Sequence, residues 1–287
     1  MANLKDIRRR ITSVKKTGQI TKAMKLVAAA KLKRATEAVI SARPYKDQLA
    51  AVLARIARKA SESVKDPLLE ARPAVKSILA VVITSDRGLC GGFNSNLLRL
   101  GQEWLLAKQA TGVKIHMRAY GRKGATALPR RGWTLDASVT DLGTRKKSEL
   151  VRDMVDEMVA GFAEQTYDEV WLISNTWVST LVQRPTFLRV LPVAVDAATA
   201  EGGLDYAYEP SAPEIVGGLL PLYIRTLVLQ AFLETEAGEY ASRMTAMDSA
   251  TRNANDMIGR LSLAYNRARQ AAITTELIEI VSGASAL

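Results

Sequence analysis

The hydrophobic positions fall into three textures along the chain. From Asn3 to Lys59 the only glycine is Gly18 and the only proline Pro44, and Ala, Lys, Arg, Leu and Met, all good helix formers, dominate. Leu4, Ile7, Ile11 and Val14 recur at heptad spacing, and Ile20, Met24 and Val27 take it up again in a shifted phase. Beyond Pro44, which predicts a kink or a short interruption, the set Leu49, Val52, Leu53 and Ile56 continues a helical stripe. A helix of this length reaches roughly 80 Å and needs a partner helix. The segment from Glu214 to Ser282 supplies one. After Pro221 it has no proline, and Tyr240, Met244, Met247, Thr251, Ala254, Ile258, Leu261, Tyr265, Ala268 and Ala272 hold an alternating four-three spacing. Two long helices at opposite ends of one chain predict an antiparallel coiled coil.

The middle reads differently. Ser77 to Thr84 (SILAVVIT) is a short continuous apolar run, as in a strand buried on both faces. A glycine-rich turn at Gly88 to Gly92 follows, and then a helix over Asn94 to Ala110. Strands are predicted over Val113 to Tyr120 and Glu169 to Asn175, with a last, edge strand over Pro185 to Val195. Lys147 to Gln165 reads as a second amphipathic helix. Strands alternating with helices predict an α/β layer with a mostly parallel sheet. The expected class is therefore α/β: a Rossmann-like central domain over residues 74–210, between coiled-coil helices over 1–59 and 214–287.

Charge sharpens this picture. The 287 residues carry a formal charge of +11, but residues 1–59 alone hold sixteen Lys/Arg against three acids, and the remainder is close to neutral. Such asymmetry points to a local partner surface. One cysteine (Cys90) and one histidine (His116) exclude an intrachain disulfide and leave no zinc cluster. The charged N-terminus lacks the apolar core of a signal peptide, so the expectation is a soluble or peripheral protein of the cytoplasmic side.

Candidate chemistry is thin. Asp86-Arg87-Gly88-Leu89-Cys90-Gly91-Gly92 sits between a strand and a helix, where dinucleotide folds bind phosphate. Its glycines do not follow G-x-G-x-x-G, no G-K-[ST] follows, and no acid closes the second strand, so it reads as a tight turn. Cys90 with His116 as nucleophile and base has no support in the pattern, and His116 reads as a half-buried strand residue. Neither a cofactor nor a metal site is expected. Ile215 to Leu233 is apolar enough for a membrane span, but Arg225 and Gln230 inside it favour a buried helix base. The basic arm could neutralise nucleic-acid phosphates. However, Arg8, Arg9, Arg10, Lys15, Lys16, Lys22, Lys25, Lys31, Lys33 and Arg34 surround the helix, and Tyr45 is the arm's only aromatic residue. Cations all round suit an axle in an acidic sleeve better than a rod on a groove; a basic architectural protein on nucleic acid is the alternative.

Longer motifs then carry a resemblance. Lys5-Asp6-Ile7-Arg8, Ile20-Thr21-Lys22-Ala23-Met24 and Val27-Ala28-Ala29 resemble the first helix of the gamma subunit of rotary (F-type) ATP synthases, in its bacterial form. Thr84 to Asn94 (TSDRGLCGGFN) resembles that family's first strand and turn. Arg243 to Thr251 (RMTAMDSAT), Tyr265 to Thr274 (YNRARQAAIT) and the tail Glu276 to Ala284 resemble its C-terminal helix. The match covers essentially the whole chain.

The resemblance implies a non-catalytic rotor shaft. It would turn inside a hexamer of alternating alpha and beta subunits, coupling ion-driven rotation of a membrane ring of c subunits to conformational cycling of catalytic sites on its partners. The epsilon subunit would lie against the α/β domain. By position, Met24, Lys25, Arg243, Arg269, Gln270, Thr274 and Glu276 match contacts to beta subunits. Asp205 to Pro210, with Tyr206, Tyr208 and Glu209, matches the loop on the c ring. The cysteine-containing insertion of the chloroplast form is missing, and with no transit peptide visible the expected place is the cytoplasmic face of a bacterial plasma membrane. No nucleic acid and no direct membrane span are implied.

Overall fold

The computed structural model describes residues 4–59, 66–194, 209 and 211–285. It holds five strands and five α-helices in the order α1 (Leu4–Lys59), β1 (Ser77–Ile83), α2 (Phe93–Ala110), β2 (Lys114–Tyr120), α3 (Arg122–Arg130), β3 (Ala137–Val139), α4 (Lys147–Ala163), β4 (Glu169–Trp177), β5 (Gln183–Leu191) and α5 (Ala212–Ser285). The chain divides into two compact units, residues 1–29 with 243–287 and residues 30–242.

In the larger unit the sheet runs β3-β2-β1-β4-β5. The first four strands are parallel, and β5 returns antiparallel along β4 as an edge strand. The apolar run of β1 is buried on both faces because its side chains alternate between two cores. Leu79, Val81 and Ile83 face one core, with Met154, Met158 and Phe162 of α4, Leu220, Ile224 and Val228 of α5, and Leu53 and Ile56 of α1. Ala80 and Val82 face the other, with Leu97, Leu98 and Leu105 of α2 and Leu128 of α3. Of the apolar stripe over residues 215–233, Val216, Leu220, Ile224, Val228 and Phe232 lie in the first core, Leu233 in another cluster, and Leu222 is 38% exposed. Arg225, on the same helix, is paired with Asp156 at 2.8 Å.

Three features depart from the sequence pattern. Pro44 lies inside α1 and does not end it. The helix α3 and the short strand β3 went unpredicted; α3 holds Gly124 and Pro129, which count against a helix locally. Gly124 is required there: its N–H donates to Thr84 Oγ1 at 2.8 Å, and a Cβ would come within 3.0 Å of that oxygen. The last strand begins two residues earlier than expected and ends at Leu191.

In the smaller unit α1 and α5 run antiparallel. On α5, Met244, Met247, Thr251, Ala254, Ile258, Leu261, Tyr265, Ala268 and Ala272 are all buried or half-buried, as the heptad spacing predicts. On α1 the shifted phase through Ile20, Met24 and Val27 is corrected. Ile20 and Val27 are 60% and 58% exposed, and the seam keeps its first phase through Gly18, Thr21, Lys25 and Ala28. These layers are small or polar rather than apolar, which hid the true phase. A Cβ on Gly18 would lie 3.4 Å from that of Ala254, Thr21 and Thr251 share a 2.8 Å hydroxyl hydrogen bond, and Lys25 Nζ reaches Asp248 at 2.6 Å. Small residues allow close helix approach, and the polar layers fix the register.

Candidate functional site: the helix ends and the central turn

The glycine-rich turn after β1 is closed upon itself. Asp86 at its start accepts backbone N–H groups from Arg122 (2.9 Å) and Asp141 (3.0 Å) on Oδ1 and from Leu142 (2.7 Å) on Oδ2. One of these donors opens α3, so a carboxylate of the chain itself holds the kind of N–H cradle that binds phosphate in dinucleotide folds. Ser85 N–H donates to Asn94 Oδ1 (3.1 Å), the Ser85 hydroxyl to Arg87 O (2.7 Å), and Asn94 Nδ2 to Ser85 Oγ (2.7 Å). The side chains of Ser85, Asp86 and Asn94 are thus committed to holding the turn's shape. Outward it presents Arg87 and Leu89, the latter 64% exposed with φ +62°.

Cys90 and His116 are not brought together. Cys90 is buried just past the C-terminal end of β1, where its Sγ accepts Asn94 Nδ2 at 3.2 Å. His116 lies near the start of the neighbouring β2, opposite Leu79, with Nδ1 3.0 Å from Asp136 Oδ2. Burial, followed by the Glu157 carboxylate, pushes the Tyr120 phenol up to about 12. This shift comes from the packing of β2 beneath α5, where Tyr120 meets Phe232 edge-on at 5.9 Å.

The residues expected to meet beta subunits lie in the smaller unit. Met24 is half-buried, and Lys25 is turned to Asp248 across the seam; Arg243 is 8% exposed. Arg269, Gln270, Thr274 and Glu276 are exposed on α5. Thr274 Oγ1 donates back to Gln270 O at 2.9 Å, leaving its methyl and the Gln270 amide outward. Of the residues expected on the c ring, Tyr206 and Tyr208 lie outside the described residues, and Glu209 is exposed.

Motif matching alone overlooked a stronger feature. The contact pairs 18/254, 21/251 and 25/248 set a register in which Leu4 falls opposite Ala268, so no described residue of α1 lies opposite α5 beyond about Ala272. Along that stretch Ile273 (47%), Leu277 (57%), Ile278 (60%), Ile280 (67%) and Val281 (63%) are exposed. An exposed helix end that is apolar on several sides suits a surrounding partner. The signal was in the sequence: the apolar residues of 273–281 exceed what one heptad stripe accounts for.

The fold defines a class of protein, a coiled coil of long terminal helices with a Rossmann-like α/β domain. A family model described as ATP synthase matches residues 3–287. The chain is 44% identical to the ATP synthase gamma chain of Trichlorobacter lovleyi, over 100% of this chain and 99% of that one. It is 47% identical to that of Desulforamulus reducens, with both chains covered completely. Among solved structures it resembles a chain of the central stalk and c ring of the Tetrahymena thermophila mitochondrial ATP synthase (TM-score 0.62, 27% identity, covering 80% of this chain and 99% of that one). A chain from the Euglena gracilis mitochondrial enzyme shares the fold (TM-score 0.69, 20% identity, covering 99% and 94%). The chain belongs to the ATP synthase gamma-chain family. Its role is that of the central shaft in a membrane-associated ATP synthase.

Proposed function

We propose that this chain is the non-catalytic rotor shaft of a bacterial ATP synthase, on the cytoplasmic face of the plasma membrane. Its paired terminal helices turn inside a hexamer of alpha and beta subunits, its foot rests on the c ring, and an epsilon subunit lies against the α/β domain. Residues 1–59 and 214–287 form the shaft and residues 74–210 the domain. The observation that carries this reading is the exposed, apolar end of α5. Such a surface is costly in water, at roughly 25 cal/mol per Å² of apolar area. It is satisfied inside a close-fitting sleeve.

Electrostatics support the same arrangement. Arg8, Arg9, Arg10, Lys15, Lys16 and Lys22 are all exposed and spread over the faces of α1 that the seam leaves open. A charge distribution without a preferred side meets each of several surrounding subunits equally as the shaft turns. A groove on nucleic acid would favour one stripe.

In the complex, Met24, Lys25, Arg243, Arg269, Gln270, Thr274 and Glu276 meet the beta subunits in turn. Tyr206, Tyr208 and Glu209 rest on the ring. Torque from ion flow enters at the ring, and the asymmetric cross-section of the two helices imposes a different conformation on each catalytic site. ATP chemistry then belongs to the partners, while this chain contributes rigidity, shape and charge.

Co-purification tests the reading. The tagged chain expressed with its alpha and beta partners is expected to elute as one stoichiometric complex, and Leu277→Asp/Ile278→Asp to elute free of them. A chain that eluted alone, and shifted DNA in a salt-dependent manner, would instead be the basic architectural protein.

A further inference from the structure

The connection between β4 and β5 is a five-residue tip, Val178-Ser179-Thr180-Leu181-Val182, and it is built unlike a solvent loop. It has no Gly, Pro, Asn or Asp, and Ser179 is its one common turn former. Its polar groups are turned inward. Val178 and Ser179 N–H both donate to Val182 O (3.2 and 3.1 Å), and Ser179 Oγ accepts N–H from Leu181 (3.3 Å) and Val182 (3.1 Å). Gln183 Nε2 donates to the carbonyls of Ser179 (3.0 Å) and Thr180 (3.1 Å). With its backbone thus fixed, the tip projects Val178 (52% exposed), Leu181 (78%) and Val182 (47%). Leu181 is the most exposed large apolar side chain among the described residues.

The tip is also braced from behind. Arg43 of α1 donates to Trp177 O at 3.2 Å, and Gln183 Oε1 accepts the Ser242 hydroxyl of α5 at 2.6 Å. Gly238 of α5 lies so close that a Cβ there would meet both Gln183 and Phe93 within 3.2 Å. Phe93 follows directly on the 86–92 turn, so exposed Leu89 belongs to the same end of the sheet, at the C-terminal ends of the parallel strands. Apolar side chains held out on a rigid support, with Arg184 exposed beside them, make a knob that loses little entropy on docking.

We infer that the 178–182 tip is a docking knob for a subunit of the catalytic hexamer, fitting an apolar recess bordered by carboxylates. The choice of occupant rests on the shaft reading above and on the polarity of β5. The chain enters β5 at the tip and leaves it nine residues later at the opposite end of the sheet, where Leu191 pairs with Val170 at the start of β4. Nine residues of strand span about 30 Å. Helix α5 starts three residues beyond Glu209, the residue assigned to the c ring, and comes beside Gln183 only at Gly238, about 39 Å further along the helix. The knob therefore faces away from the ring, in the direction in which α5 runs. Arg184 supplies the positive border that carboxylates on the occupant would meet.

A photoreactive phenylalanine analogue at Leu181 in the assembled complex tests this, since so exposed a position tolerates it without loss of fold. Cross-links to alpha or beta subunits are expected. Cross-links to epsilon or c, or none in a complex that contains the chain, would overturn the inference and leave the shaft reading standing. Failure of the unsubstituted chain to enter any complex would sink the shaft reading and this one with it. Leu181→Asp is expected to speed loss of the chain from the hexamer by roughly tenfold in a wash, and Leu181→Met to leave it unchanged; equal rates for both would also count against the knob.

Discussion

Lys25 Nζ lies 2.6 Å from the Asp248 carboxylate, in a seam layer where a coiled coil ordinarily places apolar side chains. Arg252 adds a second cation 3.4 Å from the same carboxylate. The hydrogen bond from Lys25, with the charges of Lys25 and Arg252, holds the Asp248 carboxyl below its ordinary 3.8.

A depressed carboxyl stabilises the folded state above its unfolded value and loses that contribution as pH falls through the folded one. Acid should therefore loosen this layer below about pH 4. We expect the thermal midpoint of the full chain to fall more steeply with acid than that of Asp248→Asn, which is less stable at neutral pH and flatter below it. Parallel acid limbs for the two proteins would remove the linkage.

Two layers away, Gly18 tests how closely the helices approach. A Cβ there would sit 3.4 Å from Ala254 Cβ, an ordinary contact. Gly18→Ala should gain up to about 1 kcal/mol of helix propensity without a clash. Gly18→Leu should overpack the seam at a cost of about 1–3 kcal/mol. Chemical denaturation of both variants separates the outcomes; a Leu variant as stable as the Ala variant would mean that the seam opens easily.

Gly121 gives a sharper contrast. Its φ is +100°, and a Cβ would fall 2.2 Å from Thr84 O, which belongs to backbone and cannot step aside. Thr84 is itself tied down: its N–H donates to Tyr120 O at 2.7 Å, and its hydroxyl serves Gly124. Gly121→Ala is expected to cost about 3 kcal/mol or more through combined strain and clash. Gly112, also at positive φ but with nothing within 4 Å, should lose only about 1–2 kcal/mol as alanine. Equal losses at the two sites would show that the contact with Thr84 contributes nothing.

These positions also explain what could be read from the sequence. The apolar run of β1 and the four-three spacing on α5 were legible because each buries a repeating face, and burial selects large apolar residues. The phase of α1 was not. Gly18, Thr21 and Lys25 occupy the seam while Ile20 and Val27 point outward, so following apolar residues leads to the wrong face. Helix α3 was hidden for a related reason. Gly124 and Pro129 count against a helix locally, and the hydrogen bond from Gly124 to Thr84 is a tertiary fact. At the site, motifs located the exposed residues of α5, but that Lys25 is engaged within the chain and that the 178–182 tip is apolar and braced emerged only from the fold.

The turn after β1 allows the most detailed prediction. Asp86 is the common acceptor for three backbone N–H groups, from the start of α3 and from the 141–142 turn, so it joins the loops that follow β1, β2 and β3. In Asp86→Ala all three donors lose their acceptor; water reaches the more exposed ones, which limits the loss to roughly 2–4 kcal/mol. Asp86→Asn behaves differently. Its carbonyl oxygen can keep the Oδ1 bonds to Arg122 and Asp141, but its NH₂ then faces the Leu142 N–H, donor against donor. The expected cost is about 1–2 kcal/mol, concentrated at Leu142. Amide hydrogen exchange resolves the two cases, with faster exchange at Arg122, Asp141 and Leu142 in the Ala variant and mainly at Leu142 in the Asn variant. The same substitution also tests whether Asp86 occupies an anion cradle. If the carboxylate is what fills the cradle, inorganic phosphate should slow exchange at Arg122 in Asp86→Ala and leave it unaltered in the unsubstituted chain. Protection in both proteins would mean that the cradle accepts an anion despite Asp86, and protection in neither would mean that the N–H groups converge only when the carboxylate gathers them.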